Sequence, residues 1–162
     1  MKLYEQFLGE FIYGATDGII TTFSIVAGAS GGDLIQRVIT ILGVSNVLSD
    51  GYSMGVSRYL SAKAEIEQGL LKEKNAVQSG IYTFISFVIV GIMPILPFFL
   101  YKGKKAKQIS LTIAIILFAM IGFIKGYVLG QPVLGKSMET LFIGLSAALI
   151  SYYVGIFVNK IH

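Results

Sequence analysis

Apolar residues along this chain fall into five long stretches separated by short polar breaks. The first covers 8–29 and ends in the glycine-rich turn Gly28-Ala29-Ser30-Gly31-Gly32-Asp33. The second covers 34–60, interrupted by Gln36 and Arg37 near its start and by Asp50 inside. The polar run Ser61 to Gln78 follows, with Lys63, Glu65, Glu67, Lys72, Glu73 and Lys74. Its Ala, Glu, Leu and Lys content predicts a helical extension of the second stretch to about 75. The third stretch, 79–101, carries Pro94 and Pro97, which kink a membrane helix or end its regular part. The fourth, 108–129, is almost purely apolar until Lys125, and after Gly130-Gln131-Pro132 a fifth spans 137–158. Each is about the length a helix needs to cross a bilayer. Barrel strands would alternate and need more segments. The pattern predicts an all-α membrane protein with five transmembrane helices, a single transmembrane domain over 1–162.

Composition strengthens this reading. Hydrophobic residues make up 54% of 162, charged residues 14%, and mean hydropathy is +0.75, which leaves little for a soluble domain. The start, Met1 to Phe7, has one basic residue and no short apolar core ending in a cleavage site, so the first stretch is expected to stay in the membrane. With no cysteine, and His162 as the only histidine, disulfides, thiolate metal sites and an imidazole relay are excluded. The +4 net charge reflects loop charges rather than nucleic-acid binding. Basic residues divide seven to six between the two faces of a five-span topology, so charge alone gives no orientation.

Candidate chemistry begins with Asp17, ten residues into the first apolar stretch. A carboxylate at the bilayer centre costs about 2.5–3.5 kcal/mol on insertion scales, so such acids face polar interiors and mark ion pathways. Glu10, Gly14, Asp17 and Thr21 recur at steps of four, three and four, which places them on one helix face. In the second stretch Asn46, Asp50, Ser53, Met54, Ser57 and Ser61 form a similar stripe. Carboxylate and amide oxygens suit Mg²⁺ or Ca²⁺, and a thioether beside them shifts preference towards Fe²⁺ or Mn²⁺. The competing readings are interhelical hydrogen bonds for Asp17 and Asp50, an interfacial Glu10, and packing for Met54. Gly51 and Gly55 form a small-xxx-small pattern; self-association of the second helix through it would suit a homodimer.

Other features stay structural. The 27–33 loop lacks the lysine and the preceding strand of a phosphate cradle; Asp33 is expected to cap the second helix. Lys102 to Lys107 reads as a solvated or headgroup patch, and Lys125 and Glu139 as snorkelling near helix ends. Neither a nucleophile elbow nor an HExxH helix occurs. Asp17 and Asp50 formally supply the two acids of an intramembrane protease, without a supporting local pattern. The expectation is a non-enzyme without a cofactor.

Thr16-Asp17-Gly18-Ile19-Ile20-Thr21-Thr22-Phe23-Ser24-Ile25-Val26-Ala27-Gly28-Ala29 resembles the first transmembrane helix of the vacuolar iron transporter family. Asn46 through Ser61, with Asp50-Gly51-Tyr52-Ser53-Met54-Gly55, is similar to its second. Thr83 to Phe87 with Pro94-Ile95-Leu96-Pro97 resembles its third, and Glu139 to Gly144 the start of its fifth. The resemblance implies a homodimeric five-helix bundle whose first two helices line an Fe²⁺ or Mn²⁺ pathway between protomers, coupled to protons. It puts the pathway aspartate on Asp17, the pathway methionine on Met54 and an acid near the entrance on Glu10. Asp50 matches members with an Asp-Gly-x-Ser-Met pattern. A cytosolic N-terminus follows from the same resemblance. Many members carry a glutamate-rich cytosolic domain between the second and third helices. Here about eighteen residues with three glutamates span that gap, which marks a short form in which Glu65 and Glu67 are solvated.

The combined expectation is a divalent metal exporter in a prokaryotic inner membrane. Asp17, Met54 and Asn46 would hold metal, and Glu10 and Asp50 would handle entrance or proton transfer. Two rivals are a non-transporting adaptor subunit, whose stripes bind another helix, and a proton-coupled organic-cation carrier using Asp17.

Overall fold

The computed structural model describes residues 3–70 and 75–161, with side chains from Phe7 onward. Among the described residues there is no strand. The helices are α1 (Leu3–Gly31), α2 (Gln36–Glu67), α3 (Ala76–Ile92), α4 (Pro97–Leu100), α5 (Gly103–Val128) and α6 (Val133–Ile161). Lys72, Glu73, Lys74 and His162 lie outside the described residues. α3 and the short α4 are two parts of one span, Ala76–Leu100, interrupted at Pro94 and Pro97.

Four helical segments are long and apolar enough to cross a membrane: Phe7–Gly31, Ala76–Leu100, Gly103–Val128 and Val133–Ile161. α2, which holds the second expected span, is the longest helix at 32 residues, but Arg37, Asn46, Asp50, Arg58, Lys63, Glu65 and Glu67 dilute its apolar character. α6 buries Thr140, Gly144 and Ala148 and turns Leu134, Phe142, Ile150, Tyr153 and Phe157 outward. Apolar side chains turned outward in this way need lipid around them. The protein is an all-α integral membrane protein.

α1 is the central helix, packed against α2, α3, α5 and α6. Ala15, Ile19, Phe23, Val26 and Ala29 form its buried face, and Phe23 meets Phe118 of α5 edge to face at 6.5 Å between ring centroids. Glycine permits the closest crossings. A Cβ on Gly14 would strike the Ser86 hydroxyl and Thr83 carbonyl of α3, and one on Gly18 the Phe87 backbone. Where the surroundings are as apolar as leucine, such close packing and interhelical hydrogen bonds hold helices together; Ser86 Oγ donates to the Glu10 carbonyl at 3.4 Å across this crossing.

Gly51 and Gly55, expected to serve self-association, face α3 of the same chain instead. Gly51 approaches Phe87 and Val88, and Gly55 approaches Phe84 and Gly80. Their small size is used within the protomer, so this motif gives no ground for a dimer.

Helix ends also depart from expectation. Asp33 does not cap α2, whose N-cap is Ile35 with no side-chain bond. Asp33 adopts φ 51°, while the Leu34 N–H reaches the Ala29 carbonyl at 2.9 Å and the Asp33 N–H that of Ser30 at 3.3 Å. This is a Schellman end to α1, with Asp among the few non-glycine residues that tolerate a left-handed conformation. α2 ends at Glu67, short of 75, in the same way. Gly69 has φ 76°, and the Leu70 and Gly69 N–H groups bond the Glu65 and Ile66 carbonyls, each at 2.9 Å. At the proline break, Ser110 Oγ donates to the Pro94 carbonyl at 2.7 Å. Gln36 Nε2 donates to the Phe98 and Tyr101 carbonyls at 2.6 and 2.8 Å, and its Oε1 accepts from the Gly103 N–H at 3.1 Å. Backbone freed by the break is satisfied by neighbouring side chains, as membrane depth requires.

Candidate functional site

The tight turn between Gly31 and Gln36 sends α2 back antiparallel to α1. On α1, Glu10, Tyr13, Asp17, Thr21, Ser24 and Gly28 follow at three- and four-residue steps; on α2, Leu42, Asn46, Asp50, Met54 and Arg58 follow at four. Such steps keep each set on one face. Antiparallel packing sets the Glu10 end of one stripe beside the Arg58 end of the other, and the Thr21–Gly28 end beside Asn46 and Leu42.

Two cavities open on this face. The first, about 580 Å³, is lined by Gly9, Glu10, Tyr13, Met54, Ser57, Arg58 and Ser61. The second, about 770 Å³, lies among α1, α2 and α6, with Thr21, Ser24, Asn46, Ser151 and Asn159 as its polar side chains. Asp17 and Asp50 fall between the two by register, are half-buried, and stand close enough for their charges to act on one another. Asn46 Nδ2 donates to Asp50 Oδ2 at 2.6 Å. The other Asn46 atom, Oδ1, is buried with no hydrogen-bond partner.

The first cavity is charged. Glu10, read as an acid near the entrance with a plain interfacial position as the rival, is 2% exposed. Arg58 donates to Glu10 Oε1 from Nη2 at 2.8 Å and from Nε at 3.0 Å. Its Nη1 reaches Glu65 Oε1 at 3.0 Å, which also accepts from Ser61 Oγ at 2.9 Å. A carboxylate this buried is tolerable only when paired, and Arg58 supplies the pairing across α1 and α2. Glu65, expected to be solvated, is therefore an ion-pair partner, while Glu67 is exposed.

The structure thus brings Asp17, Asp50 and Asn46 together, and places Met54 with Glu10 around the first cavity. Gly14 leaves the stripe for α3, and Tyr13 takes its place in the lining. Arg58, Tyr13, Ser151 and Asn159 were not among the expected site residues. The four-residue step from Asp50 and Met54 would have found Arg58; nothing in the spacing pointed to α6. Lys125 and Glu139 pair with each other at 3.4 Å, and Lys136 with Glu139 at 2.6 Å, away from this face. Among the described residues no three Asp, Glu, His or Cys side chains converge into a metal cluster. One chain offers two neighbouring carboxylates beside the Asn46 amide, with the Met54 thioether in the first cavity.

Comparison with known proteins gives this face its context. The chain matches the VIT family model over residues 8–70 and 66–156. A vacuolar iron transporter of Centaurea cyanus is 24% identical over 206 aligned positions, covering 88% of this chain and 84% of that one. Vacuolar iron transporter 1 of Arabidopsis thaliana is 23% identical over 211, covering 91% and 84%. A shorter match, 46% identical over 61 residues, links 38% of the chain to 20% of a Toxoplasma gondii vacuolar iron transporter. The aligned lengths exceed this chain's 162 residues, so the plant relatives carry positions that this chain lacks. Since the two matched stretches together take in nearly every described helix, the protein belongs to the VIT family.

Proposed function

We propose that this protein carries divalent transition-metal ions, Fe²⁺ or Mn²⁺, out of the cytosol in exchange for protons. The pathway runs between two copies of the chain and is lined by α1 and α2. The observation that carries this reading is the antiparallel register that sets Asp17 and Asp50 between two cavities on one helix face. The relatives named vacuolar iron transporter support a metal as the cargo.

Two neighbouring carboxylates, an amide oxygen and a thioether suit a borderline divalent cation better than a hard one. In low dielectric a carboxylate pair demands compensating charge, met by metal or by protons but not by both at once. That competition is a chemical basis for antiport. A second copy would complete the donor set with its own Asp17 and Met54. In this reading α2 is the fifth span and the N-terminus is cytosolic, so the Glu10 cavity is the cytosolic mouth in a prokaryotic inner membrane. The two family matches meet at 66–70, which supports a short form without the cytosolic metal-binding domain.

Flux of Fe²⁺, Mn²⁺, Zn²⁺ and Mg²⁺ into proteoliposomes under an imposed pH gradient tests the proposal. Fe²⁺ or Mn²⁺ should move in a gradient-dependent manner, and Asp17→Ala should abolish this while the protein stays folded and dimeric. Full flux in Asp17→Ala would remove that residue from the pathway. A wild type inert to all four metals and held in a stable hetero-complex would favour the adaptor reading.

A further inference from the structure

We infer that Arg58 is a tethered counter-cation that occupies Glu10 until a divalent ion displaces it, so that the first cavity admits divalent and rejects monovalent cations. The inference rests on the proposed pathway. Among the described residues Glu10 is the carboxylate lining this cavity, and two of Arg58's donors already grip it at 2.8 and 3.0 Å. A cation arriving here therefore meets a compensated charge and must compete with a guanidinium for it.

Arg58 also has somewhere to go. Glu65, two turns along the same helix, accepts from its Nη1 at 3.0 Å, and Ser61 Oγ lies 3.5 Å away. Released from Glu10, the guanidinium keeps a charged partner on its own helix, so exchange needs a side-chain shift and no movement of α1 against α2. A singly charged ion offers Glu10 no more charge than the guanidinium it replaces. A divalent ion offers twice as much, and the Met54 thioether and the Ser57 and Tyr13 hydroxyls stand in the same cavity as further donors.

The test uses full-length protein in proteoliposomes, reading the half-saturating Mn²⁺ concentration for flux and Mn²⁺-dependent thermal stabilisation. Arg58→Gln should lower that concentration about tenfold, the worth of a lost charge-assisted contact, and make Na⁺ a competitor where it was inert. Glu65→Gln should raise it, because Arg58 then has Glu10 as its remaining carboxylate in this network. In Glu10→Gln/Arg58→Gln the gain of the single variant should disappear. Wild type that transports Mn²⁺, with Arg58→Gln and Glu65→Gln both unchanged, overturns the inference and leaves the pathway standing. If Arg58→Gln fails to fold, an unchanged Glu65→Gln alone is enough to overturn it. A wild type that neither binds nor moves Mn²⁺ overturns both.

Discussion

The two cavities on the α1–α2 face are made largely by the same pair of helices, yet one is charged and the other is not. Glu10, Arg58 and Glu65 meet at the first through ion pairs of 2.8 and 3.0 Å. The second has Thr21, Ser24, Asn46, Ser151 and Asn159 for its polar groups, and among the described residues no charged one lines it. On the proposed pathway, a cation at the first mouth must displace a fixed charge, whereas at the second it exchanges neutral ligands for water. On that pathway the difference would assign discrimination to the Glu10 mouth and passage to the Asn46 mouth, with Asp17 and Asp50 between the two.

Substitutions can break this division in a graded way. Asn46→Leu takes the donor from Asp50 and fills part of the neutral cavity. It should cut Mn²⁺ flux by tenfold or more, a hydrogen bond to a charged group being worth about 1.5–3 kcal/mol. Mn²⁺-dependent stabilisation from the Glu10 side should persist, as a thermal-shift titration would show. Met54→Leu keeps the bulk and removes the sulfur; it should weaken the preference for Mn²⁺ over Mg²⁺ by about tenfold, read as a ratio of fluxes. Gln36→Leu lies at neither mouth. It frees the Phe98 and Tyr101 carbonyls and the Gly103 N–H, and should cost about 1–3 kcal/mol of stability while flux per folded molecule stays constant. A selectivity change in that variant would show that the α4–α5 turn communicates with the pathway.

Much of this architecture was legible because helix signals are local. The long apolar stretches follow from length and hydropathy, the interruption from Pro94 and Pro97, and the shared faces of the Asp17 and Asp50 stripes from steps of three and four. What stayed hidden depends on which helix lies opposite. Gly51 and Gly55 read equally well as a surface for a second copy or for α3, and only packing shows that Phe84 and Phe87 fill the space. The pairing of Glu10 with Arg58 gave no local signal, because the two lie 48 residues apart. Asp33 looked like a cap, since Asp favours both capping and left-handed turns. The α6 residues Ser151 and Asn159 had no signal at all, standing among apolar neighbours on a helix that mostly faces outward.

The chain contains no cysteine, so single cysteines can map the face directly. Ser57→Cys and Ser24→Cys sample the two mouths, and Phe142→Cys, on the outward side of α6, is the lipid-facing control. If the α1–α2 face is a water-filled cation path, a membrane-impermeant thiol reagent should label Ser57→Cys from one side of the membrane and Ser24→Cys from the other. Mn²⁺ should slow both reactions, and Phe142→Cys should stay unlabelled. Labelling at both mouths no faster than at Phe142→Cys, or indifferent to Mn²⁺, would contradict the account.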